Sequence, residues 1–173
     1  PKALEVVLNN GIDILTGILI SPGHLNKIDD FESLFNAFEK TLLFFTENAL
    51  NATNKWESLY SQIHSSPILS STYPSALERG GDLYCDYAAK YNNSSINAIG
   101  LATAVDSLAA IRQLVFIEKK YTLAELVEIL KNDWENNEIL RLKIKNNHPK
   151  YGTGNADTDQ LAQRIIKALS TFV

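Results

Sequence analysis

Methionine is missing from all 173 residues, and cysteine occurs once, at Cys85. A lone thiol cannot close an intrachain disulfide, so the fold has to hold without one, as suits a reducing cytoplasm. No apolar run approaches the roughly 18 residues that a membrane span requires. The start of the chain also lacks the charged-then-apolar layout of a signal peptide. Without secretion, the Asn-x-Ser/Thr matches at Asn51, Asn92 and Asn93 are chance occurrences. Neither sign of charge dominates: 16 basic against 20 acidic side chains give a net charge of −4. The basic residues are scattered and only Lys119 and Lys120 adjoin, which argues against nucleic acid as a partner. No low-complexity tract and no repeat of fixed period occurs.

What remains is an ordinary globular composition, 45% hydrophobic and 21% charged, long enough for one domain with a substantial core. Helical periodicity dominates. Residues 3–10 place Leu4, Val7 and Leu8 on one face, with Gly11 where a left-handed cap belongs. Residues 12–20 are apolar but broken by Thr16 and Gly17, which reads as a short strand or a buried turn. Asp29 and Glu32 have capping-box spacing. Phe31, Leu34, Phe35, Phe38, Leu42 and Phe45 then form a helical stripe that reads as packing surface. That helix is expected to stop near Leu50, with a second carrying Trp56, Leu59, Tyr60 and Ile63. Residues 65–74 read as a loop, a short helix should stop at Gly80-Gly81, and residues 82–95 read as irregular.

Residues 96–115 lack a polar face, so they predict a helix enclosed by protein on every side. Thr122-x-x-Glu125 is a capping box leading into Leu123, Leu126, Val127 and Leu130. A further helix over 138–147 should bury Ile139, Leu142 and Ile144. The last should be capped by Asp157 or Asp159 and bury Leu161, Ile165, Leu169 and Phe172. By pattern the chain is mainly α with one or two short strands.

Candidate chemistry is thin. Cys85 has no adjacent Lys, Arg or His to lower its pKa and reads as an incidental thiol. His24, His64 and His148 share no metal-binding spacing, so no metal site is expected. The Tyr151-Gly152-Thr153-Gly154-Asn155 run follows a proline, and it lacks a third glycine and the Lys-Ser/Thr pair of a phosphate loop. It reads as a turn feeding a capped helix. Asp106 lies in an otherwise apolar helix, where an unpaired carboxylate is costly. It reads as a structural buried charge that must find a partner. Tyr91 and Asn92 precede that helix in the irregular segment. They could orient a polar substrate or only satisfy the backbone of a turn. No residue reads as catalytic.

Several runs in order carry more than any one of them. They are Leu8-Asn9-Asn10-Gly11-Ile12-Asp13 with Thr16-Gly17, Asp30-Phe31-Glu32-Ser33-Leu34, Ala89-Lys90-Tyr91-Asn92, and Gly100-Leu101-Ala102-Thr103 with Asp106-Ser107-Leu108-Ala109-Ala110-Ile111. Tyr121-Thr122-Leu123 and Pro149-Lys150-Tyr151-Gly152-Asn155 close the series. This order resembles the central part of a glycyl radical enzyme, the family of pyruvate formate-lyase and the glycerol and diol dehydratases. The resemblance implies a segment of a ten-stranded α/β barrel, and residues 1–173 are then a single fragment of that domain. It implies a parent that carries a protein-derived glycyl radical and needs a separate radical S-adenosylmethionine activase. The radical cysteine of a Gly-Cys loop and the glycine of an Arg-Val-x-Gly loop are both absent here. Pro1, opening on an already helical pattern, and the apolar Phe172-Val173 end agree with a piece of a longer chain.

The chain departs from the family's pattern in two places. Asp86-Tyr87-Ala88 stands where relatives often carry Gly-Gly, and Thr153-Gly154 lengthens the turn from Tyr151-Gly152 to the Asp that follows. The expectation is therefore a cytoplasmic lyase, dehydratase or formate acetyltransferase of anaerobic metabolism. This segment supplies scaffold, with Tyr91 and Asn92 near a substrate cavity. Its partners would be the remainder of the barrel, the activase and, in one arrangement, a second copy in a homodimer. By itself the fragment should be inactive. The alternative is a non-catalytic helical interaction domain or the remnant of such a gene.

Overall fold

A computed structural model describes residues 1–21, 25–84, 88, 91 and 95–172, without the side chains at 26, 61 and 172. His24, Cys85, Asp86, Tyr87, Ala89, Lys90, Asn92, Asn93 and Val173, named above, lie outside the described residues, as does the Phe172 side chain. The chain divides into two compact units, one of Pro1–Phe45 with Ala98–Val173 and one of Thr46–Asn97.

The first unit is helical. It holds α1 (Lys2–Leu8), the start of α2 (Phe31–Ile63), α5 (Leu101–Ile111), α6 (Leu123–Lys131), α7 (Glu138–Asn147) and α8 (Ala156–Phe172). Its core joins Leu4 and Val7 of α1, Phe31, Leu34, Phe35 and Phe38 of α2, Val105 and Leu108 of α5, Leu126 of α6, and Leu161 and Ile165 of α8. The phenylalanine stripe therefore packs as its spacing predicts, and α8 lies along α5. Arg164 of α8 makes a two-pronged hydrogen bond to Glu32 of α2, at 3.0 and 2.6 Å, while its guanidinium lies 3.8 Å from the Phe35 ring centre. Carboxylate and ring together hold one planar cation between the two helices.

Local signals set several helix ends. Thr122 accepts the Glu125 N–H and Glu125 accepts the Thr122 N–H, closing the expected capping box on α6. Elsewhere the cap shifts. Asp30, not Asp29, accepts the Ser33 N–H at 2.7 Å at the start of α2. Asn155, not Asp157 or Asp159, accepts two N–H groups at the start of α8. The expected break near Leu50 does not occur. Between Phe31 and Ile63 there is neither Gly nor Pro, and a change from apolar to polar composition does not interrupt backbone hydrogen bonding.

Three other expectations are corrected. Among the described residues no strand ladder forms. The 12–20 segment makes one isolated antiparallel bridge, Ile12 to Leu19. Nor is it a buried turn, since Ile14, Leu15, Ile18 and Leu19 are all exposed, Leu15 at 86%. The apolar helix starts at Leu101, after a left-handed Gly100, and is not enclosed on every side within this chain, because Ala102 and Thr103 face outward. Past Ile111 it widens into a π-helical turn, Arg112–Ile117, where the Glu118 N–H reaches back to the Gln113 carbonyl. In α7 Leu140 is the buried residue, while Ile139 and Leu142 are exposed. No helix is long and apolar enough to cross a membrane among the described residues.

The second unit holds the end of α2, α3 (Pro67–Ser70) within the expected loop, and α4 (Pro74–Arg79), closed by left-handed Gly80. Asp82 organises it by accepting from the Ser66 N–H, the Ser70 hydroxyl and the Tyr84 N–H.

Gly100 is the sharpest backbone requirement. Its φ is +86°, and a Cβ there would lie 2.7 Å from Cγ and Cδ of the Pro1 ring. Gly80, at φ +62°, has nothing within 4 Å of the same position. Gly80→Ala should therefore cost about 1 kcal/mol for the left-handed backbone alone. Gly100→Ala should cost at least about 2 kcal/mol, since overpacking adds to the strain. Urea unfolding of the two variants checks this, and equal losses would contradict it.

Candidate functional site

The node that ties α5 to the 148–155 segment is built on Asp106. One of its oxygens accepts the Tyr151 N–H at 2.8 Å, and the other lies 3.9 Å from the Lys150 ammonium. Asp106 is half-buried, and its charge is answered on both sides. Lys150 also donates to the Ile144 carbonyl near the end of α7, and its own carbonyl accepts from the hydroxyls of Thr153 and Thr158. The 151–155 run is a turn feeding a capped helix. Gly152 and Gly154 are left-handed, and Asn155 turns its side chain onto α8. Both glycines leave open space where a Cβ would stand.

A second feature is a cavity of about 410 Å³ in the first unit, bordered by α1, α5, α6 and α7. Leu4, Leu8, Leu126, Leu130, Trp134 and Ile144 dominate its lining. The charged groups at its edge are already engaged, Glu5 with Lys2 and Lys131 with Glu128. It can hold an apolar group. Trp134 stands in a loop where Asp133, Trp134 and Asn136 all adopt positive φ, between +48° and +63°.

Tyr91 belongs to the second unit and is 72% exposed, while its neighbour Asn92 lies outside the described residues. His64 is in the second unit, ringed by Tyr60 and Tyr84 with centroids 6.3 and 6.1 Å away. His148 is in the first. Among the described residues no three His, Cys, Asp or Glu side chains gather as metal ligands.

Local pattern reading misses two carboxylate clusters. Asp13 pairs with Lys2 and accepts from the Thr16 hydroxyl and the Leu15 N–H. The Lys2 ammonium first, then Thr16, hold its pKa down to about 2. The Asp-x-x-Thr-Gly order could have signalled this turn. Glu118 is likewise held at about 2, by Lys120 first and then Gln113.

A family model described as pyruvate formate lyase-like matches residues 1–173. The chain is 32% identical over 170 residues to trans-4-hydroxy-L-proline dehydratase of Clostridioides difficile, covering 97% of this chain and 21% of that protein. It is 30% identical over 164 residues to (2S)-3-sulfopropanediol dehydratase of Klebsiella oxytoca, covering 93% of this chain and 20% of that one. The crystal structure of the C. difficile hydroxyproline dehydratase with its substrate superposes at a TM-score of 0.86 with 31% identity, over 100% of this chain and 22% of that chain. The chain thus spans about a fifth of the length of the curated relatives it matches.

Because the folded pKa of Asp13 lies below the unfolded value of about 3.9, its contribution is fully present above that value and is lost as pH falls through about 2. Asp13→Asn should therefore lower the urea midpoint at pH 6. The gap between variant and wild type should close between about pH 4 and pH 2. A gap that does not change with pH would refute the pairing.

Proposed function

We propose, from the premise that the chain belongs to the pyruvate formate lyase-like family, that it is a scaffold segment of a glycyl radical enzyme acting as a lyase or dehydratase. The observation that carries this reading is the whole-length superposition on the hydroxyproline dehydratase, which places all of this chain against 22% of that one. Both curated relatives named above are dehydratases, which favours elimination of water over acyl transfer to coenzyme A. At 30–32% identity they do not choose the substrate.

The radical itself has no seat here. A glycyl radical enzyme needs a glycine for storage and a cysteine for attack, and the 173 residues contain neither an Arg-Val-x-Gly run nor a Gly-Cys pair. Those groups do not fit onto this chain, so no radical step is assigned to any of its residues. What the chain supplies is support. A core of four phenylalanine and leucine residues on α2, packed with α5 and α8, gives the surrounding barrel a rigid wall. Asp106 fixes the 148–155 segment to α5 as a structural charge. Tyr91, with Asn92, is the part assigned to a substrate cavity; its phenol is exposed and has the chemistry to orient a polar substrate. The parent requires a radical S-adenosylmethionine activase and the remainder of its own barrel, acts in the cytoplasm, and forms a homodimer.

Anaerobic activation of the full-length gene product with such an activase should give the doublet of a glycyl radical by electron paramagnetic resonance. Residues 1–173 treated in the same way should stay silent. A full-length product without the doublet under conditions that activate a known relative would overturn the enzyme reading. In that activated enzyme, Tyr91→Phe should lower kcat/KM roughly tenfold, the worth of one substrate hydrogen bond. A change below about twofold would remove Tyr91 from the cavity.

A further inference from the structure

We propose that His148 is an acid-sensitive latch on the joint between α7 and α8. His148 ends α7 and precedes Pro149, and only 8% of its surface is exposed. The charged groups facing it come from three places: Glu118 and Lys120 from the end of the π-helical turn, Lys143 from α7, and Lys150 from the joint itself. Three ammonium groups and one carboxylate thus act on one imidazole. The single carboxylate among them is already taken up by Lys120 and Gln113. A proton on His148 would sit on a buried ring, where the charge of Glu118 favours it but burial and the three lysine charges oppose it.

Burial first, against the pull of Glu118 and with the lysine charges adding to it, holds the His148 pKa below its ordinary value. The neutral ring is therefore the form that fits the closed joint. An opened joint returns the ring to water, where it takes a proton near pH 6.5. As pH falls below that value, opening gains free energy, and the gain grows until the closed form itself is protonated. The bonds that would yield are on either side of the ring. Lys150 holds the Ile144 carbonyl, and Tyr151 gives its N–H to Asp106, so the joint is fastened both to α7 and to α5. The Tyr151 amide is a direct reporter, since its one acceptor is lost when the joint lifts.

The test is a pH series from 7 to 5 on the intact chain, reading the His148 ring by NMR and the Tyr151 amide by hydrogen exchange corrected for its intrinsic rate. His148 should titrate below about 6.5, and Tyr151 protection should fall as pH drops while Leu126 in α6 keeps its own. His148→Gln should flatten the Tyr151 response. If that variant fails to fold, Lys143→Met serves instead: removing one like charge should raise the His148 midpoint. A His148 midpoint at or above about 6.5, a flat Tyr151 profile in the wild type, or no shift in Lys143→Met would each overturn the latch.

Discussion

The first unit depends on how closely its neighbours can approach α5. That helix is only 11 residues long, yet it buries Ala104, Val105, Leu108, Ala110 and Ile111. Short side chains keep the distance between helix axes small, and close axes let the leucine and phenylalanine side chains of α1, α2 and α8 reach a common centre. Gly100 makes the same demand of the backbone. It turns the chain into α5 through a conformation that other residues resist, and it leaves room for a proline ring where a methyl group would stand. A bulkier α5 would part the helices that the phenylalanine stripe of α2 has to join.

Charge is used to secure connections, not to build the core. Lys2 and Asp13 fix the turn after α1, Lys150 and Asp106 fix the joint before α8, and Arg164 with Glu32 joins α8 to α2. Each pair lies at least partly in reach of water, so each adds little energy but a definite geometry. The turn after α1 shows the effect. Its apolar side chains are displayed outward on a frame that Asp13 holds in one shape, so they lose little further freedom when another surface covers them.

How much of this could be read from the residues follows the distance over which each interaction acts. The Thr122–Glu125 box spans three positions and is legible directly. The choice between Asp29 and Asp30 is not, because adjacent carboxylates offer nearly the same pattern. The buried face of α7 is hard to choose for a similar reason: ten residues with Ile139, Leu140, Leu142 and Ile144 support two overlapping stripes. Asp106 visibly needs a partner, but Tyr151 stands 45 positions on, and no local rule points there. The enclosing of residues 96–115 fails within this chain because apolar composition reports what a helix will meet in its full surroundings, and Ala102 and Thr103 stay exposed here. Family membership was legible for the opposite reason, since it rests on the order of many short runs and on no single contact.

The bond between Glu32 and Arg164 links positions 132 residues apart. A ribosome adding about 5–20 residues per second needs roughly 7–26 s to travel that far. During that interval the phenylalanine stripe of α2 is already made, while the helix that closes over it is not. Nascent chains of this protein therefore carry an aromatic, apolar face throughout that interval, and their survival rests on what shields that face before α8 emerges.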